Sequence, residues 1–224
     1  MTPSSWPCPL PGGGTCEEYA LQFDAGRRSR LLVVPALFDE GNRMRRFTVE
    51  VMRRLDAIGI DSFLPDLPGC NESLQPLEAQ DPTDWLDAMT AAARHFGASH
   101  ALGIRGGCLF TPQRLPAFHY APVKAAATLR QMVRARILSA REAGREEHRD
   151  ALAQEALARG ITLAGYRLGA DFYRHFEPMT PDASATAIAQ EHVGGAGLWL
   201  RAEPDENAEQ AGALAAILAD EIAA

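Results

Sequence analysis

The sequence predicts an α/β fold: a mostly parallel sheet with helices on both faces, and a helical insertion after the strand at 115–122. Three observations carry this expectation. Continuous apolar runs such as RLLVVPAL (30–37) read as strands buried on both faces. Between such runs, apolar residues recur at three- and four-residue steps, the period of a helix lying on a sheet. The two patterns then alternate along the chain, as a parallel sheet with crossover helices requires.

Taken in order, residues 1–16 (MTPSSWPCPLPGGGTC) are rich in Pro, Gly and Ser and are expected as an irregular arm, leaving 17–224 as one domain. EEYALQF (17–23) alternates as an edge strand, AGRRSR turns, and 30–37 is the first buried strand. From Arg43 the period changes: Met44, Phe47, Val51, Leu55 and Ile58 line one helical face that Gly59 ends. IDSFLPDLPGC (60–70) returns to strand character and finishes in a turn. DPTDWLDAMTAAARHFG (81–97) is a helix with Asp81 as cap, Pro82 in the first turn and Asp84 three residues after the cap. SHALGI (99–104) is a short strand, and Gly106 onward is expected to open another helix. LPAFHYAP (115–122) is the next strand. The Arg-rich stretch 124–159 is helical, with Leu129, Met132, Val133 and Ile137 on one face. ITLAGY and ATAIAQE are weaker strand candidates, and GLWLRAE (197–203) is a better one. A helix carrying Leu214, Ile217, Leu218 and Ile222 closes the chain. There are no internal repeats.

Composition narrows the function classes. With 46% hydrophobic and 23% charged residues the chain has a globular rather than a disordered balance. No apolar run reaches the roughly 18 residues of a membrane span. The N-terminus lacks the basic and apolar regions of a secretory leader, so a cytoplasmic location is expected. There Cys8, Cys16, Cys70 and Cys108 would be reduced thiols. A net charge of −7 argues against a nucleic-acid partner, and the arginine clusters read as solvated helix faces. No dinucleotide-binding glycine pattern, P-loop or metal-ligand spacing occurs, so neither cofactor nor metal is expected.

In an open parallel sheet, ligands bind beyond the carboxyl ends of the strands. That rule selects four loops. Asp39, Glu40, Asn42 and Arg45 come from the first, and Asp66, Cys70, Asn71 and Ser73 from the second. Arg105 and Gly106 come from the third and His119 from the fourth. Each has a plainer reading: Asp66 as a turn residue, Asn42 as a helix cap, Arg45 as a surface charge. Cys70 also reads as a small buried apolar group, and His119 as a hydrogen-bonded core histidine.

Four segments resemble a known family. LLVVPALFDEGNRMRRF is similar to its P-F-A-E-E-x-N-K-x-R-R loop and FLPDLPGCNES to its D-L-x-G-C-G-D-S turn. ALGIRGGCLF resembles its W-G-L-R-x-G-C-L-L segment and ITLAGYRLGADF its E-x-A-G-Y-x-L-S-P-A-L segment. The family is the exosortase A system-associated hydrolase 2 group of the α/β-hydrolase superfamily, encoded beside bacterial exopolysaccharide and protein-sorting systems. The resemblance implies an α/β-hydrolase-like fold and an arginine at the nucleophile elbow as the family's own pattern. It also implies an exopolysaccharide or protein-sorting component as partner. This chain departs from the family at VPALFDE, CNES and APVKAAA.

GIRGG (103–107) is G-x-S-x-G with arginine in place of serine. A guanidinium stays protonated wherever the protein folds, so it serves neither as nucleophile nor as base. Apart from the helical His148, only His175 and His192 come late enough for the triad order, and His192 is the better placed of them, but no alcohol stands at the elbow to activate. Two expectations compete. In one, a non-catalytic protein binds a small anionic ligand or a partner at Arg105, Gly106 and the neighbouring loops. In the other, a hydrolase or acyl transferase uses Cys70, with His119 as base and Asp66 orienting it. Arg105 needs a partner in either case, and Glu40, Asp39 and Asp66 are the internal choices; the resemblance favours Glu40, which sits in the family's E-E-x-N motif. A scaffolding homo-oligomer ranks third.

Overall fold

A computed structural model describes residues 1–205 and 207–223. Its main sheet has seven strands in the order β1-β2-β4-β3-β5-β6-β9. These are β1 Thr2–Pro9, β2 Thr15–Phe23, β3 Arg30–Val34, β4 Asp61–Pro65, β5 His100–Ile104, β6 Ala117–Tyr120 and β9 Thr186–Ile188. From β4 to β9 every neighbour pair is parallel, while β1–β2 and β2–β4 are antiparallel.

The pleat of β3 distributes the core. Leu31 and Val33 point to a cluster with Phe47, Met52, Leu55, Leu214 and Leu218, from helices α1 (Asp39–Ala57) and α7 (Ala208–Ala223). Leu32 and Val34 point to the opposite cluster, with Trp85 of α2 (Pro82–His95), Leu129 of α3 (Ala125–Glu142) and Phe172 of α5 (Ala170–Phe176). Both faces of the sheet are therefore covered by helices, as the unbroken apolar runs demand. The predicted start of α2 is present in full. Asp81 accepts from Thr83 N, and Asp84 accepts from Asp81 N, closing a capping box.

Several expectations change. Residues 2–9 are a strand rather than an irregular arm, which moves 17–23 from the sheet edge to an inner position. The prolines that suggested irregularity protect an edge. Leu10 N donates to Gly14 O at 3.1 Å, so the even positions of β1 bond to β2 and the odd amides point outward. Pro3, Pro7 and Pro9 sit at those outward positions, where a missing N–H costs nothing and blocks a further strand. The helix expected from Gly106 is one 3-10 turn, Arg105–Leu109, stopped before Pro112. The insertion divides at Gly144 into α3 and α4 (Arg149–Arg159). The segment ITLAGY contributes to a separate hairpin, β7 Ile161–Leu163 with β8 Tyr166–Leu168. GLWLRAE is not a strand: Leu198–Leu200 is a 3-10 turn that sets the Trp199 ring against Tyr120 and Arg105. The short α6, Gln190–Val193, follows β9. Among the described residues no helix is long and apolar enough to cross a membrane.

Trp85 is fully buried, donates Nε1 to Pro68 O at 2.9 Å and meets Phe110 and Phe172 edge-on. Trp85→Ala should therefore lower unfolding stability by about 3–5 kcal/mol. Urea denaturation followed by circular dichroism would measure it.

Candidate functional site

Arg105 stands at the carboxyl end of β5 with φ +55°, in the left-handed region that non-glycine residues avoid. Close backbone approach on either side requires the flanking glycines. A Cβ on Gly103 would lie 2.6 Å from Cys108 Cα, and one on Gly107 would lie 2.3 Å from Pro35 O. The bend is that of a nucleophile elbow, built around a cation.

Its side chain turns into the protein. Nε and Nη2 donate to the two carboxylate oxygens of Glu40, each at 3.0 Å, and Nη1 donates to Ala121 O at 3.0 Å. The ring of Trp199 covers the guanidinium, 4.1 Å from ring centre to Cζ. Both side chains of the ion pair are nearly enclosed, at 13% and 10% exposure. The fork that would receive an anionic ligand is thus occupied by Glu40, in the bidentate geometry such a ligand would use. The one-turn 3-10 segment after it is too short for the dipole of a full helix to add an anion-binding field.

The space above the elbow is filled. A Cβ on Gly106 would meet the Leu37 side chain at 2.8 Å. Phe38, itself held at φ +54°, packs its ring against Tyr166, Trp85 and Phe176. The hollow between these residues and Cys70 has a volume of about 10 Å³, and a second one beside Glu40 and Met132 about 70 Å³. A ligand pocket takes roughly 300 Å³ or more. Neither hollow holds an organic substrate.

The other predicted residues separate into local structural roles. Asp66 is fully buried and accepts from Arg45 Nη1, Asn71 Nδ2 (both 3.0 Å) and Glu72 N (3.3 Å). It ties the second loop to α1, with Asn71 in the left-handed region, and Arg45 is its counter-charge rather than a surface group. Ser73 donates to buried Glu18 at 2.7 Å and accepts from Gly69 N at 2.8 Å. Asn42 lies exposed inside α1, which begins at Asp39, so it caps nothing. Asp39 occupies the first turn of α1. Burial pushes the Tyr166 hydroxyl up to about 12, and the charge of Asp39 adds to this.

Cys70 and His119 do not form a relay with Asp66. Burial pushes the Cys70 thiol up to about 12, reinforced by the charges of Asp66 and Glu18, so it stays protonated near neutrality. His119 is buried on β6 and shares a hydrogen bond between Nε2 and Thr111 Oγ1 at 2.9 Å. Burial holds its imidazolium below the usual range against the opposing pull of Asp182. Asp66, meanwhile, spends its oxygens on the loop. His192 is exposed on α6, and His175 pairs with Asp81 at the surface. Sequence reasoning missed Leu37, Phe38, Tyr166, Ala121 and Trp199. For Trp199 the misleading signal was the strand-like run GLWLRAE.

No family model and no curated protein matches the chain. Solved structures do. Alpha/beta hydrolase domain-containing protein 10 from mouse aligns over 100% of this chain and 99% of its own length, at 10% identity and TM-score 0.58. The α/β-hydrolase GrgF from Penicillium aligns over 84% and 79%, at 16% identity and TM-score 0.51. An Agrobacterium vitis protein aligns over 72% of this chain at 14% identity and TM-score 0.51, and the chain spans only 64% of its length. At these identities the likeness speaks to architecture alone: the chain has the α/β-hydrolase fold.

Two predictions follow from the site. Glu40→Ala, which strands the enclosed guanidinium, should cost about 3–5 kcal/mol, whereas the double variant Glu40→Ala/Arg105→Met should recover much of the loss. A denaturant double-mutant cycle measures both. His119 has a folded pKa below its unfolded one, so its contribution to stability is present above the unfolded value and is lost as pH falls. His119→Gln should therefore flatten the decline of Tm between pH 7 and pH 5, read by scanning calorimetry.

Proposed function

We infer that this chain is a catalytically silent α/β-hydrolase-fold protein, a cytoplasmic binding component of a bacterial exosortase or exopolysaccharide system that lacks a Ser-His-Asp triad. One observation carries the silent reading: the elbow side chain is a guanidinium engaged bidentately by Glu40. No lone pair is available at the elbow for attack, and the hollows beside it do not admit an acyl chain. The association with a sorting system rests on the resemblance of the four motifs, the elbow arginine among them. Binding of a small anion at Arg105 is the weaker form of the proposal, since Glu40 already supplies the carboxylate. A binding role through the outer surface agrees better with a closed crevice.

The Cys70 alternative has little support. A thiol raised to about 12 with no imidazole in its hydrogen bonds is a poor nucleophile at neutral pH. The test is a panel of p-nitrophenyl esters and acyl thioesters with the purified protein, paired with iodoacetamide labelling across pH 6–9. We expect turnover no faster than buffer, with Cys70 labelled more slowly than free cysteine. Ester turnover that disappears in Cys70→Ala or His119→Ala would replace this reading with an enzymatic one.

A further inference from the structure

One turn around α3 from the elbow hollow, the molecule presents an open groove of about 800 Å³. Half-buried Ile137 lies along it above the buried Val133, and Leu200, 74% exposed, stands at its rim. Three guanidiniums surround this apolar strip: Arg130 and Arg134, four residues apart on α3, and Arg149 at the start of α4. The spacing puts Arg130 and Arg134 on one helical edge.

These arginines differ from those that hold the fold together. Arg27, Arg30, Arg45, Arg105 and Arg136 each hold a carboxylate at 3.1 Å or closer. No carboxylate among the described residues forms an ion pair with Arg130, Arg134 or Arg149, and all three are exposed. Three like charges gathered around one groove repel one another. The chain carries a net charge of −7, so carboxylates to neutralise them are plentiful elsewhere on the surface. A partner offering carboxylates at helical spacing beside apolar side chains would satisfy the guanidiniums and cover Leu200 and the open side of Ile137 together.

We propose that the α3–α4 groove is a docking surface for an acidic amphipathic segment of a partner protein. It names a surface for the binding role inferred above and rests on that reading. Peptide binding and ester turnover are measured separately, so either can fail alone. The chain links the rim of the groove to the elbow. Leu200 follows Trp199, whose ring covers Arg105 and whose carbonyl accepts from Arg43 Nη1 at 3.2 Å.

The probe is a fluorescein-labelled peptide of Glu-Glu-Leu-Leu repeats, with binding followed by fluorescence anisotropy. Saturable binding should weaken about tenfold or more in Arg130→Glu/Arg134→Glu and in Arg149→Glu. It should be unchanged in the control Arg94→Glu/Arg114→Glu, and should decline as salt is raised to about 0.15 M. Leu200→Ser should weaken binding without altering the salt dependence. The reversed residues are exposed, so thermal melts should match the parent. If a reversal fails to fold, the single alanine variants give the same comparison. Equal affinity in the parent and the arginine variants overturns the proposal. So does groove-dependent binding of heparin or phosphatidylglycerol vesicles where the peptide does not bind. Self-association abolished by Arg130→Glu/Arg134→Glu would assign the groove to a second copy and overturn it as well.

Discussion

The ion pair between Arg105 and Glu40 is the constraint around which the carboxyl end of the sheet is organised. Arg105 arrives on the β5 turn, Glu40 on the first turn of α1 and Ala121 on the exit from β6. One side chain thereby joins three loops beyond the ends of the paired strands. Desolvating such a pair offsets much of its Coulombic gain, so its contribution is geometric before it is energetic. The planar fork accepts one orientation of the carboxylate, and Trp199 closes the remaining face.

Closure of the crevice follows from the same arrangement. With Glu40 drawn onto the elbow, the start of α1 is fixed, and Leu37 and Phe38 are carried over Gly106 and into the aromatic cluster of Trp85, Tyr166 and Phe176. Space that this architecture can leave for a substrate is converted into packed apolar contact. The buried polar groups nearby are consistent with that exchange. Asp66 satisfies a loop, His119 satisfies Thr111, and the thiol of Cys70 remains protonated. The unbalanced charge lies outside, on α3 and α4.

How much was legible in the sequence depended on how local the cause was. The capping box of α2 involves residues three apart, and it formed as read. The strands from β3 to β6 followed from apolar runs long enough to be covered on both faces. The arm at 2–9 was misread because prolines suppress strand propensity in general, whereas an edge strand tolerates them wherever the amide points to solvent. GLWLRAE failed for the opposite reason: its composition suited a strand, but its apolar side chains are spent on long-range contacts, Trp199 with Arg105 and Tyr120.

By itself the sequence determined the layered α/β architecture and a permanently cationic elbow, because periodicity and side-chain chemistry are properties of neighbouring residues. The resemblance of its loops to a known family singled out Glu40 as the favoured partner of Arg105. What only the tertiary structure decided was the fate of that cation: 65 positions separate the pair, and the occupied fork, the covering Trp199 and the filled crevice depend on how distant loops converge. Long-range packing sets those distances, and no local pattern encodes them.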